Sequence, residues 1–426
     1  MAADPTRSEA AAAGSALMVT SNFPRWRGDS TTPFVLHLAQ DLRALGWHVE
    51  VLAPHAPGAA LSEDLDGIPV RRFRYFWPER SQTVCYNGGA LGNLRRRPLN
   101  FAKLPMLVAS EWAATRHHLA TRRFDLVHSH WILPQGYVCS IVAKALGIPH
   151  LATVHGGDVF AMRNRVLDRF RRLALATAQR VTVNSSVTRG AVEKLAGVRP
   201  NVVHIPMGAT ERAADAAQVL ELRSCYREGP GPLLLFVGRL VEEKGIDDAV
   251  SAMPAILRSR PQARLLVVGD GPDRARFENR AAALGIADRV SFAGWVDSRR
   301  LPDYYAAADL FLGPSKRAPN GWVEAQGLTF AEALLAGVPV IATRCGGIVD
   351  VIRDGQTGLL VDEGSPDEIA AATLRLLGDP ALARSLAATG QEFARTELTR
   401  AASARAFARE YAALRAGAQP EVFSKT

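Results

Sequence analysis

The 426 residues carry 51 Lys and Arg against 42 Asp and Glu, a formal charge of +9 at pH 7, with 48% hydrophobic and 22% charged side chains. Such a length exceeds the roughly 250–300 residues that one core supports, so two domains are expected, and the composition excludes a disordered or fibrous chain. No apolar run approaches the ~20 residues that cross a bilayer, and four scattered cysteines, Cys85, Cys139, Cys225 and Cys345, form no CxxC or Cys/His cluster, which argues against a zinc site or a disulfide framework.

From the start of the chain, Met1–Ala13 is alanine-rich with Asp4 and Glu9 and no early Lys cluster. It reads as a frayed tail on a cytoplasmic protein rather than as a signal peptide. Short β-rich runs then alternate with helical patterns, the signature of parallel βαβ units with helices on both faces of a sheet. The first series has strand candidates at Ala16–Thr20, His48–Ala53, Leu126–Ser129, His150–His155 and Val181–Asn184. Helical stretches include Phe34–Leu45 and Gly136–Ala145, with Gly46 and Gly147 as C-terminal stops. Within this series Arg71–Trp77 (RRFRYFW) and Leu94–Trp112 mix arginines with aromatics. One reading is an amphipathic surface helix plus loop; the other is a lip, including Arg74 and Tyr75, that binds an acceptor or touches an anionic membrane.

A polar stretch, Gly208–Pro232, reads as the inter-domain connection. The second series has strands at Leu233–Val237, Arg264–Val268, Val290–Ala293, Leu310–Gly313 and Val338–Ala342, with helices such as Ile246–Arg258 and Thr329–Leu335. An alanine- and arginine-rich helical region, about Ser385–Ala416, closes the chain. The expected division is 1–207, an acceptor-binding domain; 208–395, a nucleotide-sugar domain; and 396–426, a helix returning to the first domain with a flexible tail. Two doubly wound sheets bind ligands at their strand C-terminal edges, so a shared cleft is expected.

Two segments carry the chemistry. In LLLFVGRLVEEKGIDD (Leu233–Asp248) a strand leads through a glycine to Arg239 and Lys244 in a loop that enters a helix. A nucleoside diphosphate develops negative charge as it departs, and two fixed cations beside a helix N-terminus stabilise it without a metal. In WVEAQGLTFAEALLA (Trp322–Ala336) the spacing of Thr329 and Glu332 fits a capping box, which predicts a helix from Phe330 and free amides in the preceding loop at Gly327 and Leu328. Glu324 lies outside that helix, where a cap has no use for it. The two carboxylates are therefore assigned to accept hydroxyl protons from a sugar and a ribose.

These motifs, VGRLVEEKGID, VVGDGPD, FAGWV and EAQGLTFAEALLAGVPVIAT followed by a Gly pair, occur in one order over about Pro232–Leu377. They resemble the donor-domain motifs of retaining GT-B glycosyltransferases of family 4. The resemblance implies an α/β fold of two Rossmann-like doubly wound parallel-sheet domains facing a central cleft. It implies that Arg239 and Lys244 bind the diphosphate and act in catalysis, that Glu332 binds the ribose and Glu324 the donor sugar, and that Trp295 and Val296 hold the nucleobase. Gly269, Leu328, Thr329 and Phe330 would approach the donor through backbone atoms.

The N-terminal half is similar too. SNFPRWRGDSTTPF (Ser21–Phe34) occupies the place of the family's glycine-bearing loop, with Gly28 followed by Asp29 where two adjacent glycines are common. THGGDVF (Thr153–Phe160) matches a histidine segment that points His155 at the donor sugar or the reacting centre, which with Glu324 places it among the catalytic residues, and His130, Trp131 and Asp158 are assigned to the acceptor. His128 and His130 have the i, i+2 spacing of a metal pair but no third ligand, so no metal is expected. Further departures from the family pattern are the longer loop Pro314–Glu324 with Lys316, Arg317 and Trp322, Asp350 in place of Glu, and Met207 in place of Asn.

The implied activity is hexosyl transfer from a UDP-, GDP- or ADP-type donor to an acceptor hydroxyl with retention, in glycan or glycoconjugate synthesis. The departing phosphate oxygen would itself accept the acceptor's proton, with no cofactor and no metal. Acceptors would be a sugar, a lipid-linked glycan or a small natural product, with peripheral contact at the inner face of the membrane as one option. A sugar-nucleotide epimerase of the same fold and a non-catalytic sugar-nucleotide-binding protein are the competing readings. A dehydrogenase lacks its GxGxxG after the first strand, and nucleic acid is set aside because the arginines are mixed with acids.

Overall fold

The computed structural model describes residues 13–29, 31–86, 89–160, 164–196, 201–319 and 321–417, without the side chains of Leu91 and Arg95. The expected tails before residue 13 and after residue 417 lie outside the described residues. The chain divides into two compact units: one holds the residues up to Val183, Thr188–Ile205 and those from Ser403 onward, and the other holds Asn184–Val187 and Pro206–Ala402.

Among the described residues the first unit has eight strands: β1 (Gly14–Val19), β2 (Trp47–Pro54), β3 (Ser62–Leu65), β4 (Ile68–Phe73), β5 (Leu126–His130), β6 (His150–Val154), β7 (Arg180–Val183) and β8 (Val202–His204). Their order is β3-β4-β2-β1-β5-β6-β7-β8, parallel throughout except that β3 runs antiparallel to β4. Strands 1, 5, 6 and 7 are almost wholly buried because helices cover both faces of a parallel sheet, and β5 (LVHSH) buries His128, Ser129 and His130 with them. The chain leaves β1 toward β2 on one side and later returns to β5 on the other, so the order reverses between β1 and β5.

The arginine–aromatic region corrects the surface reading of Arg71–Trp77. Its first three residues belong to β4, and the buried Arg72 guanidinium pairs with Glu63 and donates to the carbonyls of Ala60 (2.7 Å) and Pro24 (2.9 Å). Tyr75 is buried as well, its hydroxyl accepting from the Val84 amide at 3.0 Å, so it is removed from the expected acceptor lip. Arg74 and Trp77 remain exposed, Trp77 at 85%. Leu94–Trp112 splits between helix Gly89–Arg96, the short turn Pro98–Lys103 and helix Leu104–Thr121.

The second unit has β9 (Leu233–Val237), β10 (Arg264–Val268), β11 (Val290–Gly294), β12 (Leu310–Gly313), β13 (Val340–Thr343) and β14 (Leu359–Val361), all parallel, in the order β11-β10-β9-β12-β13-β14. Leu234, Phe236, Leu265 and Val267 of β9 and β10 pack with Met253, Ile256 and Phe277 from the covering helices. The reversal here falls between β9 and β12, and in such sheets the strand ends at the reversal form the ligand-binding edge.

Candidate functional site

At the β9/β12 edge of the second unit, the loop after β9 carries Arg239 and then the turn Glu242–Lys244, which leads into helix Ile246–Ser259. The loop after β12 carries Glu324 and leads into helix Leu328–Leu335. Where the two loops cross, a side chain at Gly245 would place its Cβ 1.8 Å from the Pro314 carbonyl oxygen, so glycine is the residue that lets them touch. Across that crossing the Lys244 ammonium pairs with the Glu324 carboxylate, 80 residues away in sequence. The ammonium also stands 5.9 Å from the centroid of the Trp322 ring. The Arg239 side chain is exposed, and its guanidinium has no hydrogen bond or ion pair among the described residues. Lys316, by contrast, is held by Asp247 (2.9 Å) and Asp248 (3.3 Å).

Glu324 itself is fixed from behind. Its carbonyl accepts from the Gly347 amide at 2.8 Å, and neighbouring Gln326 exchanges hydrogen bonds with the backbone of Met207 at 2.9 and 2.7 Å. Asp350 accepts from the Ser186 amide at 2.7 Å, which gives this residue an anchoring task.

The capping box is corrected. The helix starts at Leu328 with Gly327 at its N-cap in the left-handed region (φ 78), and no side chain caps it. A Cβ at Gly327 would meet the Phe330 ring at 2.4 Å, so the turn requires glycine and needs no Thr329 cap. Of the first amides of this helix, that of Phe330 donates to the Gly327 carbonyl at 3.1 Å, which leaves those of Leu328 and Thr329 at the strand edge. Glu332 instead accepts from the Tyr305 hydroxyl at 2.9 Å, and burial raises its carboxyl to about 7. Gly269 ends β10 with its amide on the Gly294 carbonyl at 2.8 Å; Trp295 and Val296 follow β11, Trp295 at 66% exposure.

In the first unit, Gly28 lies in the loop after β1, in the left-handed region (φ 84). Asp29 closes that loop by accepting from the backbone amide (2.9 Å) and guanidinium (2.7 Å) of Arg25. The ends of β5 and β6 bring three imidazoles together. His130 Nδ1 lies 3.0 Å from His155 Nε2, and His128 bridges the Tyr411 hydroxyl (2.7 Å) and Thr153 Oγ1 (2.6 Å). Burial holds His128 and His130 well below the usual imidazole range and lowers His155 to about 3, so the cluster is neutral at pH 7. His130 Nε2 is buried with no hydrogen-bond partner among the described residues.

Trp131 packs 4.8 Å from His155 and adopts φ 72, ψ 147, a backbone region that a tryptophan enters only when its surroundings impose it. Asp158 accepts from the Ile132 amide at 3.0 Å, while burial raises its carboxyl to about 6. Sequence reasoning missed Tyr305, Gln326 and Tyr411, because each acts through a partner distant in the chain. It also missed the strain at Trp131, for which the sequence carries no signal.

Chemically, the second-unit edge offers cations, amides and carboxylates, suited to a diphosphate and sugar hydroxyls. The first-unit edge offers neutral imidazoles that exchange hydrogen bonds with hydroxyls but attract no anion. Among the described residues, no group of three or more His, Cys, Asp or Glu is placed to hold a metal ion.

Comparison with known proteins matches one family model to each half of the chain. The family model described as "Glycosyl transferases group 1" matches residues 226–393, and "Glycosyl transferase 4-like domain" matches residues 31–208. The chain is 38% identical over 247 residues to the GDP-mannose-dependent alpha-(1-6)-phosphatidylinositol monomannoside mannosyltransferase of Mycobacterium tuberculosis, a match covering 57% of this chain and 64% of that protein. It is 33% identical to the D-inositol 3-phosphate glycosyltransferase of Acidothermus cellulolyticus, covering 68% of each chain. Its structure superposes on sucrose-phosphate synthase from Thermosynechococcus elongatus with a TM-score of 0.74 at 25% identity, covering 95% of this chain and all of that one.

Proposed function

This chain belongs to glycosyltransferase family 4, with the GT-B fold, and from that premise we propose that it moves a hexosyl unit from a nucleoside-diphosphate sugar to an acceptor hydroxyl with retention of anomeric configuration. The observation that carries the proposal is the Lys244–Glu324 pair at the β9/β12 reversal, with the unpaired Arg239 beside it. Before donor binds, each charge of the pair neutralises the other. A diphosphate draws the Lys244 ammonium to itself, joined by the Arg239 fork and the first amides of helix Leu328–Leu335. Glu324 is thereby released to accept hydroxyl protons from the donor sugar. Glu332, aligned by Tyr305, accepts from the ribose, and Trp295 and Val296 lie against the nucleobase.

These two cations and the helix amides stabilise the departing diphosphate directly, so the reading assigns no step to a metal. In the transfer the sugar C1–O(phosphate) bond breaks, the acceptor oxygen bonds to C1 on the same face, and the acceptor's proton passes to the departing phosphate oxygen. The neutral His130, His155 and Trp131 group serves the acceptor's hydroxyls. The named relatives make GDP-mannose the first donor to try and phosphorylated inositols, free or in a lipid, the first acceptors.

A panel of GDP-, UDP- and ADP-sugars read by thermal shift tests donor binding, because a ligand stabilises in proportion to its occupancy. The reading expects one nucleotide sugar to raise the melting temperature and the product's anomeric proton to keep the donor's configuration, in EDTA as well as without it. Interconversion of the sugar with no acceptor present would identify an epimerase instead, and an inverted product would overturn the retaining mechanism.

A further inference from the structure

Between β1 and helix Pro33–Ala44 the first unit makes a loop that is pinned along its length. The Pro24 carbonyl accepts from the buried Arg72 guanidinium at 2.9 Å, and the Asn22 side-chain oxygen accepts from the Tyr86 amide at 2.9 Å. Trp26 to Asp29 form a turn closed by the Asp29 amide on the Trp26 carbonyl (3.1 Å), with Gly28 at its third position in the left-handed region that such a turn requires. The Asp29 carboxylate takes the amide and guanidinium of Arg25 on one oxygen, and on the other the hydroxyl of Thr31 at 3.0 Å. A glycine in place of Asp29 could make none of these side-chain bonds.

What this bracing holds in place is Trp26. Phe23 of the same loop is fully buried, whereas Trp26 is 45% exposed, and the Arg25 guanidinium lies over its ring, 4.3 Å from the centroid. A tryptophan left to water gains nothing from such support, but a ring already held still loses little freedom when a ligand packs on it. The loop leaves β1 at the reversal of strand order, where ligands bind in such sheets, and runs into Phe34, whose ring lies 5.1 Å from His155 and 6.3 Å from Trp131. Both arginines of the loop are engaged, Arg25 by Asp29 and Arg27 by Asp66 at 2.7 Å, so the loop offers an aromatic face rather than a phosphate contact.

We propose that the outer face of Trp26 is a stacking platform for a ring of the acceptor, a pyranose or a cyclitol, and that the Arg25–Asp29 pair positions it. The C–H bonds on one face of such a ring are its electropositive side and match the negative face of an indole, which leaves the hydroxyls at the rim for hydrogen bonds. An acyclic polyol or a bare phosphate presents no such face. The platform depends on the transfer of a sugar to an acceptor hydroxyl, as proposed above, and adds to it that the acceptor is cyclic.

The test is fluorine NMR of the full chain labelled with fluorotryptophan, in which the Trp26 resonance is the one lost in Trp26→Phe. Titration with myo-inositol phosphate or methyl mannoside should move that resonance saturably. Glycerol phosphate at equal concentration should not, and neither ring should move the resonance of Trp112, exposed on helix Leu104–Thr121. In transfer assays Trp26→Ala should raise KM for the ring acceptor by roughly three- to tenfold, the worth of one aromatic stacking contact, with a smaller change in kcat. Trp26→Phe should recover most of that loss, Asp29→Gly should show part of it by freeing the ring, and nucleoside-diphosphate affinity should stay native in all three. Thermal melting of each variant separates a lost platform from lost folding, and the native-chain titration stands even if a variant unfolds. A Trp26 resonance that neither ring moves or that glycerol phosphate moves equally, or equal KM in native and folded Trp26→Ala chains, would overturn the platform and leave sugar transfer standing. Failure of transfer from every donor in the panel would overturn the transferase reading and the platform with it.

Discussion

In the second unit the sheet reverses between β9 and β12 and the edge there carries ions: an exposed, unpaired Arg239 and a Lys244–Glu324 pair. In the first unit the reversal between β1 and β5 has beside it, at the ends of β5 and β6, buried imidazoles without charge at pH 7 and a strained Trp131. The same reversal of strand order therefore supports two unlike chemistries, because the reversal fixes only where loops converge. The loops decide what is presented there. Gly245 lets the second unit's loops approach closely enough to oppose charges, whereas burial strips the first unit's histidines of theirs.

If the ionic edge carries the chemistry, Lys244→Ala should have the largest effect, lowering turnover by roughly 10²–10³, the loss seen when one preorganised charge-stabilising group is removed. Single-turnover kinetics at saturating donor would read it. Recovery of native turnover by Lys244→Ala/Glu324→Ala would reduce the pair to a structural balance and break the comparison. Next is Gly327→Ala, which forces a Cβ against the Phe330 ring from a left-handed turn and should cost about 1–3 kcal/mol in denaturant unfolding. A neutral result would mean that the turn relaxes and that its amides are not held in place.

The pH dependence sharpens the contrast. Burial raises the Glu332 carboxyl from its ordinary 4.5 to about 7, so the folded state holds its proton more tightly, and stability is lost as pH climbs through 4.5 to 7. Glu332→Gln should remove that decline, worth at most about 3 kcal/mol across the window. His155 falls from 6.5 to about 3, so its contribution has the opposite sign: stability is lost as pH drops below 6.5. Asp158, raised to about 6, acts against it in the same unit. Comparing each variant with the native chain in urea from pH 4 to 8 separates these slopes; equal slopes for the Glu332→Gln and native chains would contradict the burial of Glu332. The smallest effect expected is from Tyr305→Phe, which removes one hydrogen bond to Glu332 and should cost about 1 kcal/mol in the same unfolding experiment.

Much of the architecture was legible in the sequence. The β9, β10 and β12 ranges agree with expectation residue for residue, because continuous apolar runs between polar turns are what a doubly covered parallel strand requires. The edge pair β3 and β4 escaped notice. Arg72 looks like a surface residue until Glu63 and two carbonyls are seen to satisfy it inside the fold. Short β8 and β14 escaped too, since three residues carry no readable period. Of the site, residue types and loop positions were visible, whereas the Lys244–Glu324 pair was not, for a contact between residues so far apart is a property of the sheet order. The capping-box reading failed because Gly327 already starts the helix and Tyr305 engages Glu332.

The most direct measurement is calorimetric titration of a nucleoside diphosphate, of the base that the donor panel selects, into full-length Arg239→Ala and His155→Ala chains. Arg239→Ala should weaken binding about tenfold to a hundredfold, the worth of one charge-assisted contact, while His155→Ala binds as the native chain does. Native affinity in Arg239→Ala, or a loss in His155→Ala alone, would contradict a diphosphate site at the β9/β12 edge.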